Sequence, residues 1–373
     1  MASILDKISN LGFLKVDDGV IGVDIGSSAI KIVQVQKQGG RAVLKNYGSL
    51  ALGPYSNLSI GQATNISKDK TVEALTDLIR EAGVTTKRAA MAIPLKDTMI
   101  SFIKMPNLGR KQLEHMVPIE ARRYIPVPIS EVTLDFWVIP QKENANPATP
   151  SPGKVEQSEV DNKIDVLVAA IHNSSINKHQ DIKNLSGLDV RLFEIEVFST
   201  IRSTVGHEMK PVMVVDIGAA VTKLAMVEYG ILQSSHLINK GSQDVTIALS
   251  KSLGVDMERA EEIKRNPNNL GDDMTKERFR EVSSLPLSHI FAEASNVLSD
   301  YQSKHGKAVS KVIFSGGGSL SDGLLELAKK HFNANIEISN PFDRLDTPAF
   351  LEDTLKEIGP EFAVAIGLAL EAS

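Results

Sequence analysis

The chain has 373 residues, a length typical of two or three domains rather than of one compact core. Hydrophobic residues make up 42% of it and charged residues 23%, which indicates a folded globular protein and excludes a disordered or fibrous one. The formal net charge of −5 argues against a dedicated nucleic-acid-binding protein, and the absence of cysteine excludes disulfides, thiolate metal sites and a cysteine nucleophile.

Residues 1–17 are predicted to form an N-terminal arm before the first strand. Their apolar side chains recur at helical spacing, which is typical of a terminal helix that packs on the core or of one that binds a partner or a membrane surface; a partly ordered arm is the alternative. Asp6 and Lys7 interrupt the apolar run that a signal peptide requires. No window approaches the ~18 apolar residues of a spanning helix, so we expect a cytoplasmic protein without a direct membrane span.

The first half of the chain alternates between predicted strands and helices. Apolar and β-branched runs predict two strands joined by a tight turn over residues 20–35, and further strands at 42–50, 89–93, 99–104, 132–139, 164–171 and 190–195. Amphipathic patterns predict helices at 71–83, 109–124 and 177–185, and Pro118 is expected to interrupt the second of these. Residues 141–161 are rich in Asn, Pro, Ser, Lys and Glu, a composition typical of a solvated loop.

The second half begins with a repeat of the first strand pair. Residues 23–31 are VDIGSSAIK and residues 215–223 are VDIGAAVTK, each between two apolar runs. Further along, helices are predicted at 242–253, 256–265, 288–304, from 322 onward and at 361–370, with a strand and glycine turn at 311–318 and a strand at 335–338. The duplicated hairpin predicts two similar subdomains that face each other.

Each Asp-Ile-Gly hairpin brings a carboxylate next to a turn with exposed backbone amides. Gly26 and Gly218 allow a ligand to approach the backbone closely, and the amides of the small residues that follow can donate to phosphate oxygens. Asp24 and Asp216 would then face each other across a cleft, where two carboxylates and bound phosphates suit Mg²⁺ held partly through water. One such hairpin alone would be an ordinary turn, whereas two copies and a later glycine turn indicate a nucleotide site.

The later glycine turn has the sequence SGGGS at residues 315–319, between a predicted strand and a predicted helix. Glycines at this point would let a flat purine ring lie against the backbone. The chain contains neither GxGxxG nor GxxxxGK[ST], which disfavours a Rossmann dehydrogenase and a P-loop protein. It also lacks HExxH and GxSxG, the motifs of zinc proteases and of α/β-hydrolases.

These three motifs, in this order, resemble the phosphate-1, phosphate-2 and adenosine motifs of the superfamily that contains actin, heat-shock ATPases and sugar kinases. Within it the chain resembles the PilM family, the actin-like proteins of type IV pilus assembly, which are similar to the cell-division protein FtsA. The resemblance is carried by residues 20–35, by residues 105–138 with their YIPVP and EVTLDF segments, by the second hairpin and by AVAIGLAL at residues 363–370.

The resemblance implies an α/β fold of the actin-like ATPase type, in which two RNase H-like halves flank a nucleotide cleft. An FtsA-like subdomain is expected as an insertion into the first half. The expected boundaries are 18–91, 190–205 and 361–373 for the first half, 92–189 for the inserted subdomain, 206–245 and 306–360 for the second half, and 246–305 for a helical subdomain of the second half.

The resemblance also implies ATP and Mg²⁺ as cofactors and assigns residues to them by motif. Phosphate contacts are expected from Gly26, Ser27, Ser28 and Lys31 on one side and from Gly218, Ala219, Ala220 and Thr222 on the other, with Asp24 and Asp216 at the metal. Glu196 would orient the attacking water as the catalytic residue, or it is only a carboxylate at a helix start. Glu261 and Lys264 are expected at the ribose and base, or on a solvated helix face, and Gly316, Gly317 and Ser319 at the adenine.

The chain departs from the usual family motifs at two points. Lys240-Gly241-Ser242 stands where the family usually has a second glycine pair. Ala219 and Ala220 leave only backbone amides as donors in the second hairpin, which weakens the expectation of hydrolysis more than that of binding. We therefore expect primarily a nucleotide-binding scaffold, with weak ATPase activity at most.

The function that the resemblance implies is that of a cytoplasmic scaffold of type IV pilus assembly and twitching motility. The expected partner is the N-terminal cytoplasmic peptide of an inner-membrane pilus protein similar to PilN, which would hold the chain at the inner membrane. The peptide groove is expected between the inserted subdomain and the first half, with residues 124–128 in its wall or as a plain structural corner. Self-association is compatible with this function, and nucleic-acid binding is not expected.

Two alternative functions belong to the same superfamily. An FtsA-type filament protein on the membrane would need a C-terminal amphipathic helix, whereas this chain ends in a small-residue helix followed by Ala-Ser. A small-molecule kinase would need an aspartate base in an acceptor pocket, and no convincing candidate is present in the sequence.

Overall fold

The computed structural model describes residues 19–140, 163–267 and 273–373, with no side chains described for residues 273–275. The predicted N-terminal arm at 1–17 and the predicted loop at 141–161 lie outside the described residues. Among the helices in these three ranges, none combines the length and the apolarity needed to cross a bilayer.

Strands and helices alternate along the described ranges. The strands are β1 (Val20–Ile25), β2 (Ala29–Gln38), β3 (Arg41–Ala51), β4 (Arg88–Ile93), β5 (Thr98–Pro106), β6 (Val132–Val138), β7 (Lys163–His172), β8 (Asp189–Ile195), β9 (Val212–Ile217), β10 (Thr222–Glu228), β11 (Ile231–Ile238), β12 (Lys311–Ser315) and β13 (Asn335–Ile338). The helices are α1 (Lys68–Glu81), α2 (Arg110–Ala121), α3 (Asn173–Ser186), α4 (Glu196–Thr204), α5 (Ser242–Leu253), α6 (Met257–Arg265), α7 (Asp273–His305), α8 (Leu324–His331), α9 (Glu352–Ile358) and α10 (Ala363–Ala372).

The first sheet has its strands in the order β3-β2-β1-β4-β8. β1, β2 and β3 pair antiparallel, whereas β4 runs parallel to β1 and β8 runs parallel to β4. Helix α1 packs Leu75 and Leu78 against one face, and α10 packs Ile366 and Ala369 against the other. Because both faces are covered, β1 is an almost continuous apolar run rather than an alternating one.

The second sheet repeats this pairing with the order β11-β10-β9-β12-β13. β9, β10 and β11 pair antiparallel, β12 runs parallel to β9, and β13 runs parallel to β12. Its core packs against α5 and α7 around the rings of Phe291 and Phe314, whose centroids lie 5.2 Å apart. The duplicated VDIG motif therefore begins two sheets of one topology.

A third sheet, with the antiparallel order β5-β7-β6, lies outside this repeat. Helix α2 packs Leu113, Val117 and Ala121 against it. The helix continues through Pro118, so the predicted interruption is wrong. Burial of the three apolar side chains outweighs the single backbone hydrogen bond that proline does not donate.

Helix α10 lies against β1 and α4 at distances that only glycine permits. A Cβ atom on Gly22 would lie 1.9 Å from the carbonyl oxygen of Ala365, and one on Gly367 would lie 2.0 Å from that of Ser199. The small-residue sequence of α10 is therefore a packing requirement. It fixes β1, which carries the first hairpin, relative to α4, which begins at Glu196.

Several other elements differ from the sequence predictions. Helix α7 begins well before residue 288 because Phe279 and Leu287 pack into the core of the second sheet while polar neighbours face solvent. The edge strand β11 was not predicted, since the polar residues in its middle hide the strand pattern. The short helix α9 was not predicted either.

Candidate functional site

The two Asp-Ile-Gly hairpins have the same turn geometry. The amide of Gly26 donates to the carbonyl of Ala29 at 3.0 Å, and the amide of Gly218 donates to the carbonyl of Val221 at 3.0 Å. A Cβ atom at Gly26 or Gly218 would lie 2.9 Å or 2.8 Å from these same carbonyl oxygens. Glycine is therefore favoured at both turns by close approach of the backbone.

The hairpins face one continuous cleft. A cavity of about 290 Å³ between them is lined by most of the predicted phosphate and metal residues: Asp24, Gly26, Ser27, Ser28, Lys31, Asp216, Gly218, Ala219 and Ala220. It is also lined by the predicted catalytic residue, Glu196, and by two of the predicted adenine contacts, Gly316 and Gly317. A cavity of about 740 Å³ shares Ser28, Lys31 and Gly218 with the first and is lined further on by Glu261 and Lys264. The structure thus brings the predicted phosphate side and the predicted adenosine side together.

Two of the predicted contact residues lie outside both cavities. The buried hydroxyl of Thr222 donates to the carbonyl of Lys240 at 2.9 Å. The buried hydroxyl of Ser319 donates to the carbonyl of Gly316 at 2.7 Å. Both side chains stabilise turns behind the cleft wall instead of facing a ligand.

A buried ion-pair network joins two predicted carboxylates to a lysine that the motifs alone do not single out. The ammonium of Lys223 lies 2.8 Å from Asp216 Oδ2 and 2.8 Å from Glu196 Oε2. Burial would lower the pKa of Lys223, but the charges of Asp216, Glu196 and Asp24 outweigh it and raise that pKa, so the amine stays protonated. The sequence signal for this residue is the repeat itself, in which Lys223 occupies the position of Lys31.

The first hairpin has the same register but an open arrangement. Asp24 stands opposite Lys31 across β1 and β2, as Asp216 stands opposite Lys223 across β9 and β10. Among the described residues, neither Asp24 nor Lys31 has a hydrogen-bond or ion-pair partner for its side chain. Burial raises the pKa of Asp24 to about 6, and the nearby charge of Lys31 offsets only part of that rise.

Glu196 lies both at a helix start and at the cleft, so its two sequence interpretations are compatible. It is the first residue of α4. Its Oε1 accepts a hydrogen bond from the amide of Leu95 at 2.7 Å, and its Oε2 accepts one from Lys223 at 2.8 Å. Both oxygens are engaged, which ties the start of the third-sheet region to the second hairpin.

The adenosine side contains an organised pair of opposite charges instead of a solvated helix face. Glu261 and Lys264 on α6 are largely buried, and their charged atoms lie 2.5 Å apart. Glu261 also accepts hydrogen bonds from Thr246 at 2.7 Å and Arg265 at 2.8 Å. Burial raises the pKa of Glu261, but Lys264 and these donors outweigh it and lower that pKa; burial lowers the pKa of Lys264.

The loop that follows β3 reaches across the cleft to the helices of the second half. The amide of Ala63 donates a hydrogen bond to the side-chain oxygen of Gln243 in α5. Gly61 has a φ of +85°, and a Cβ atom there would lie 2.3 Å from the carboxyl carbon of Glu261. This loop therefore connects the two sides of the larger cavity.

The predicted Mg²⁺ position does not fit the side chains as they lie. In the described part of the chain, no three or more His, Asp or Glu side chains are arranged to hold a metal ion. The Lys223 ammonium already contacts oxygens of Asp216 and Glu196, and its charge would repel a divalent cation placed beside them. A Mg²⁺ ion held jointly by Asp24 and Asp216 is therefore not supported by this arrangement.

Two five-stranded sheets of one topology, each with an Asp-Ile-Gly hairpin at a shared cleft, define an actin-like ATPase fold. The ethanolamine utilization protein EutJ from Carboxydothermus hydrogenoformans has this fold, with a TM-score of 0.54 and 15% sequence identity over 94% of this chain and 88% of EutJ. At that identity the likeness shows the fold alone. The predicted fold class is confirmed.

The family model described as type IV pilus assembly protein PilM matches residues 22–373, so the chain belongs to the PilM family. The solved structure of a PilM-PilN type IV pilus biogenesis complex superposes with a TM-score of 0.77 and 26% identity, covering 95% of this chain and 98% of that one. Cell division protein FtsA of Helicobacter pylori strain J99 is 22% identical over 236 residues, 56% of this chain and 47% of FtsA. The chain thus spans about half the length of the curated relatives it matches.

Proposed function

We propose that this chain is an ATP-binding, actin-like scaffold of type IV pilus assembly whose nucleotide state is coupled to the binding of an inner-membrane partner. The observation that carries the proposal is the pair of facing hairpins, which places two glycine turns and the side chain of Lys31 around one cavity. Backbone amides and a lysine without a protein partner are suitable donors for phosphate oxygens. The adjoining cavity of about 740 Å³ has the size of a cofactor site.

The amides of residues 27–28 and 219–220 would hold the phosphates from opposite sides, with Lys31 beside them. The turn at residues 316–318 and the pair formed by Glu261 and Lys264 would hold the nucleoside in the larger cavity. Glu196 uses both oxygens within the protein, so this carboxylate is not free to activate water. We therefore expect the chain to bind ATP without hydrolysing it rapidly, which suits a scaffold better than an enzyme.

Nucleotide binding would act by favouring one arrangement of the two halves. The halves are proposed at residues 18–91, 190–205 and 361–373 for the first, and 206–245 and 306–360 with the helical subdomain 246–305 for the second. A ligand that contacts both hairpins stabilises the arrangement in which they are close. The contact between Ala63 and Gln243 would form with that closure.

The partner is proposed to be the N-terminal cytoplasmic peptide of an inner-membrane protein similar to PilN, the protein named with PilM in the solved complex. The proposed inserted subdomain at 92–189 exposes Ile119 by 65% and Tyr124 by 49%, and its Pro-rich turn lines a cavity of about 410 Å³. Trp137 of β6, 46% exposed, packs its ring 5.5 Å from that of Phe198 in α4. Trp137 thus lies at the junction of the inserted subdomain and the first half. The bound peptide would hold the chain at the cytoplasmic side of the inner membrane.

The test is calorimetric titration of a synthetic N-terminal PilN-like peptide into the full chain, with and without ATP. Coupling energies of this kind are typically ~1–3 kcal/mol, so we expect peptide affinity to change about 5- to 150-fold when ATP is added. Tyr124→Ala should weaken peptide binding, and Leu285→Ala, at an exposed apolar residue of α7, should not. Equal peptide affinity with and without ATP would refute the coupling, and no peptide binding in either condition would refute the partner.

A further inference from the structure

Lys223 is held at the cleft with part of its donor capacity unused. The side chains of Lys223, Asp216 and Glu196 are 13%, 10% and 11% exposed, so their ion pairs are formed largely away from solvent. An ammonium has three N–H donors, and the two carboxylates use two of them. Since Lys223 itself lines the 290 Å³ cavity between the hairpins, the third donor is available to a ligand there.

The charges around this cavity explain why a fixed cation is needed. The cavity is lined by five carboxylates and four lysines: Asp24, Asp97, Glu196, Asp216 and Glu361, and Lys31, Lys96, Lys178 and Lys223. A nucleotide polyphosphate adds further negative charge to this partly buried site. Without Lys223, two buried carboxylates would lack their cation and would repel the phosphates at close range.

The same network leaves no place for a divalent cation beside Asp216. The ammonium contacts Asp216 and Glu196 at the oxygens that a metal ion would use, and the backbone fixes it there because Lys223 lies opposite Asp216 in the β9–β10 register. Gly316, with a φ of +78°, packs against the other oxygen, since a Cβ atom there would lie 2.3 Å from Asp216 Oδ1. One oxygen of Asp216 thus contacts the Lys223 ammonium, and the other lies close to the backbone of Gly316.

We propose that Lys223 is the resident cation of this cleft and contacts the nucleotide phosphates directly, so that ATP and ADP bind with little dependence on Mg²⁺. The inference rests on the proposed function, because it requires a nucleotide in the cleft. It assigns the positive charge opposite the phosphates to two lysines at equivalent positions of the repeated motif, Lys31 from the first half and Lys223 from the second.

The test is calorimetric titration of ATP and ADP into the full chain, once in Mg²⁺ and once in EDTA. For the unmodified chain we expect the two dissociation constants to agree within about threefold. A charge-assisted hydrogen bond contributes ~1.5–3 kcal/mol, so Lys223→Met should weaken binding in EDTA by about 12- to 150-fold. Lys223→Arg should bind more tightly than Lys223→Met, and Lys37→Met, at an exposed lysine of β2, should bind as the unmodified chain does.

The possible results distinguish a failure of this inference from a failure of the proposed function. Binding by the unmodified chain that weakens more than about tenfold in EDTA would overturn the inference and leave nucleotide binding standing. Unchanged affinity of folded Lys223→Met in EDTA would overturn it as well, and no binding in either buffer would overturn both proposals. Because Lys223→Met leaves buried carboxylates unpaired, its thermal unfolding is measured first; if it is unfolded, the comparison of EDTA with Mg²⁺ on the unmodified chain decides.

Discussion

Replacing Lys31 with alanine removes the one lysine of the first hairpin that lines the cleft. Its side chain lines both cavities, and in the described parts of the chain it has no hydrogen-bond or ion-pair partner that would hold it elsewhere. The variant therefore breaks no protein contact of this kind. Its effect on nucleotide affinity should report directly on the contact between lysine and phosphate.

The magnitude follows from the charges at the cavity. A charge-assisted hydrogen bond to a phosphate contributes ~1.5–3 kcal/mol, which corresponds to a dissociation constant about 12- to 150-fold higher. Lys31→Ala also leaves Asp24 facing the phosphates without the lysine opposite it, which adds repulsion. We expect the loss to lie in the upper part of that range.

The assay is calorimetric titration of ATP into the unmodified chain, Lys31→Ala and Lys37→Ala. Lys37 is a matched control because it lies on the same strand, β2, with its side chain exposed. We expect Lys37→Ala to bind within about twofold of the unmodified chain, and both variants to unfold at the same temperature as it does. Equal ATP affinity for both variants would refute the placement of the phosphates beside Lys31.

Three further predictions concern the scaffold of the site. Gly367→Ala should lower the free energy of unfolding, measured in urea, by about 2–3 kcal/mol, because the added Cβ would lie 2.0 Å from a carbonyl oxygen. Gly206→Ala is the control: its Cβ would lie 3.9 Å from the nearest atom, and the free energy of unfolding should change by less than ~0.5 kcal/mol. Equal losses for the two variants would contradict this packing. Burial lowers the pKa of His179, so below about pH 6.5 the unfolded chain binds a proton at this residue more readily than the folded chain does. The unmodified chain should therefore lose more free energy of unfolding between pH 7.5 and pH 5.5 than the His179→Gln variant. Equal losses for the two proteins would contradict the effect of burial. Gln243→Ala removes the acceptor for the amide of Ala63, so hydrogen exchange at that amide should accelerate about fivefold for ~1 kcal/mol; an unchanged rate would show that the loop is held by other contacts.

The sheets of the repeat were predictable because local chemistry and tertiary structure agree there. In both VDIG segments, β-branched runs flank a glycine turn, and the structure forms the expected hairpins at β1–β2 and β9–β10. Helix α5 was predicted with its observed bounds. The polar start of α7 and the edge strand β11 were not, because their side chains find apolar or hydrogen-bonding partners only in the assembled second half.

The backbone of the site was more predictable than its electrostatics. Lys31 and Lys223 occupy the same position of the repeated motif, yet only Lys223 is paired with carboxylates. Part of the difference comes from Glu196, which α4 places beside Lys223 and which has no counterpart at Lys31. Thr222 and Ser319 matched their motifs but bond to backbone carbonyls behind the cleft, and such side-chain directions depend on contacts that motif spacing does not specify.

The most direct test of the central claim is a crystal structure of the chain with a non-hydrolysable ATP analogue. The account predicts that the phosphates lie between the two hairpins, within hydrogen-bond distance of the amides of residues 27–28 and 219–220. The Lys31 ammonium should lie beside them, and the nucleoside should lie in the cavity that Glu261 and Lys264 line. A nucleotide bound outside this cleft, or none bound at saturating concentration, would contradict it.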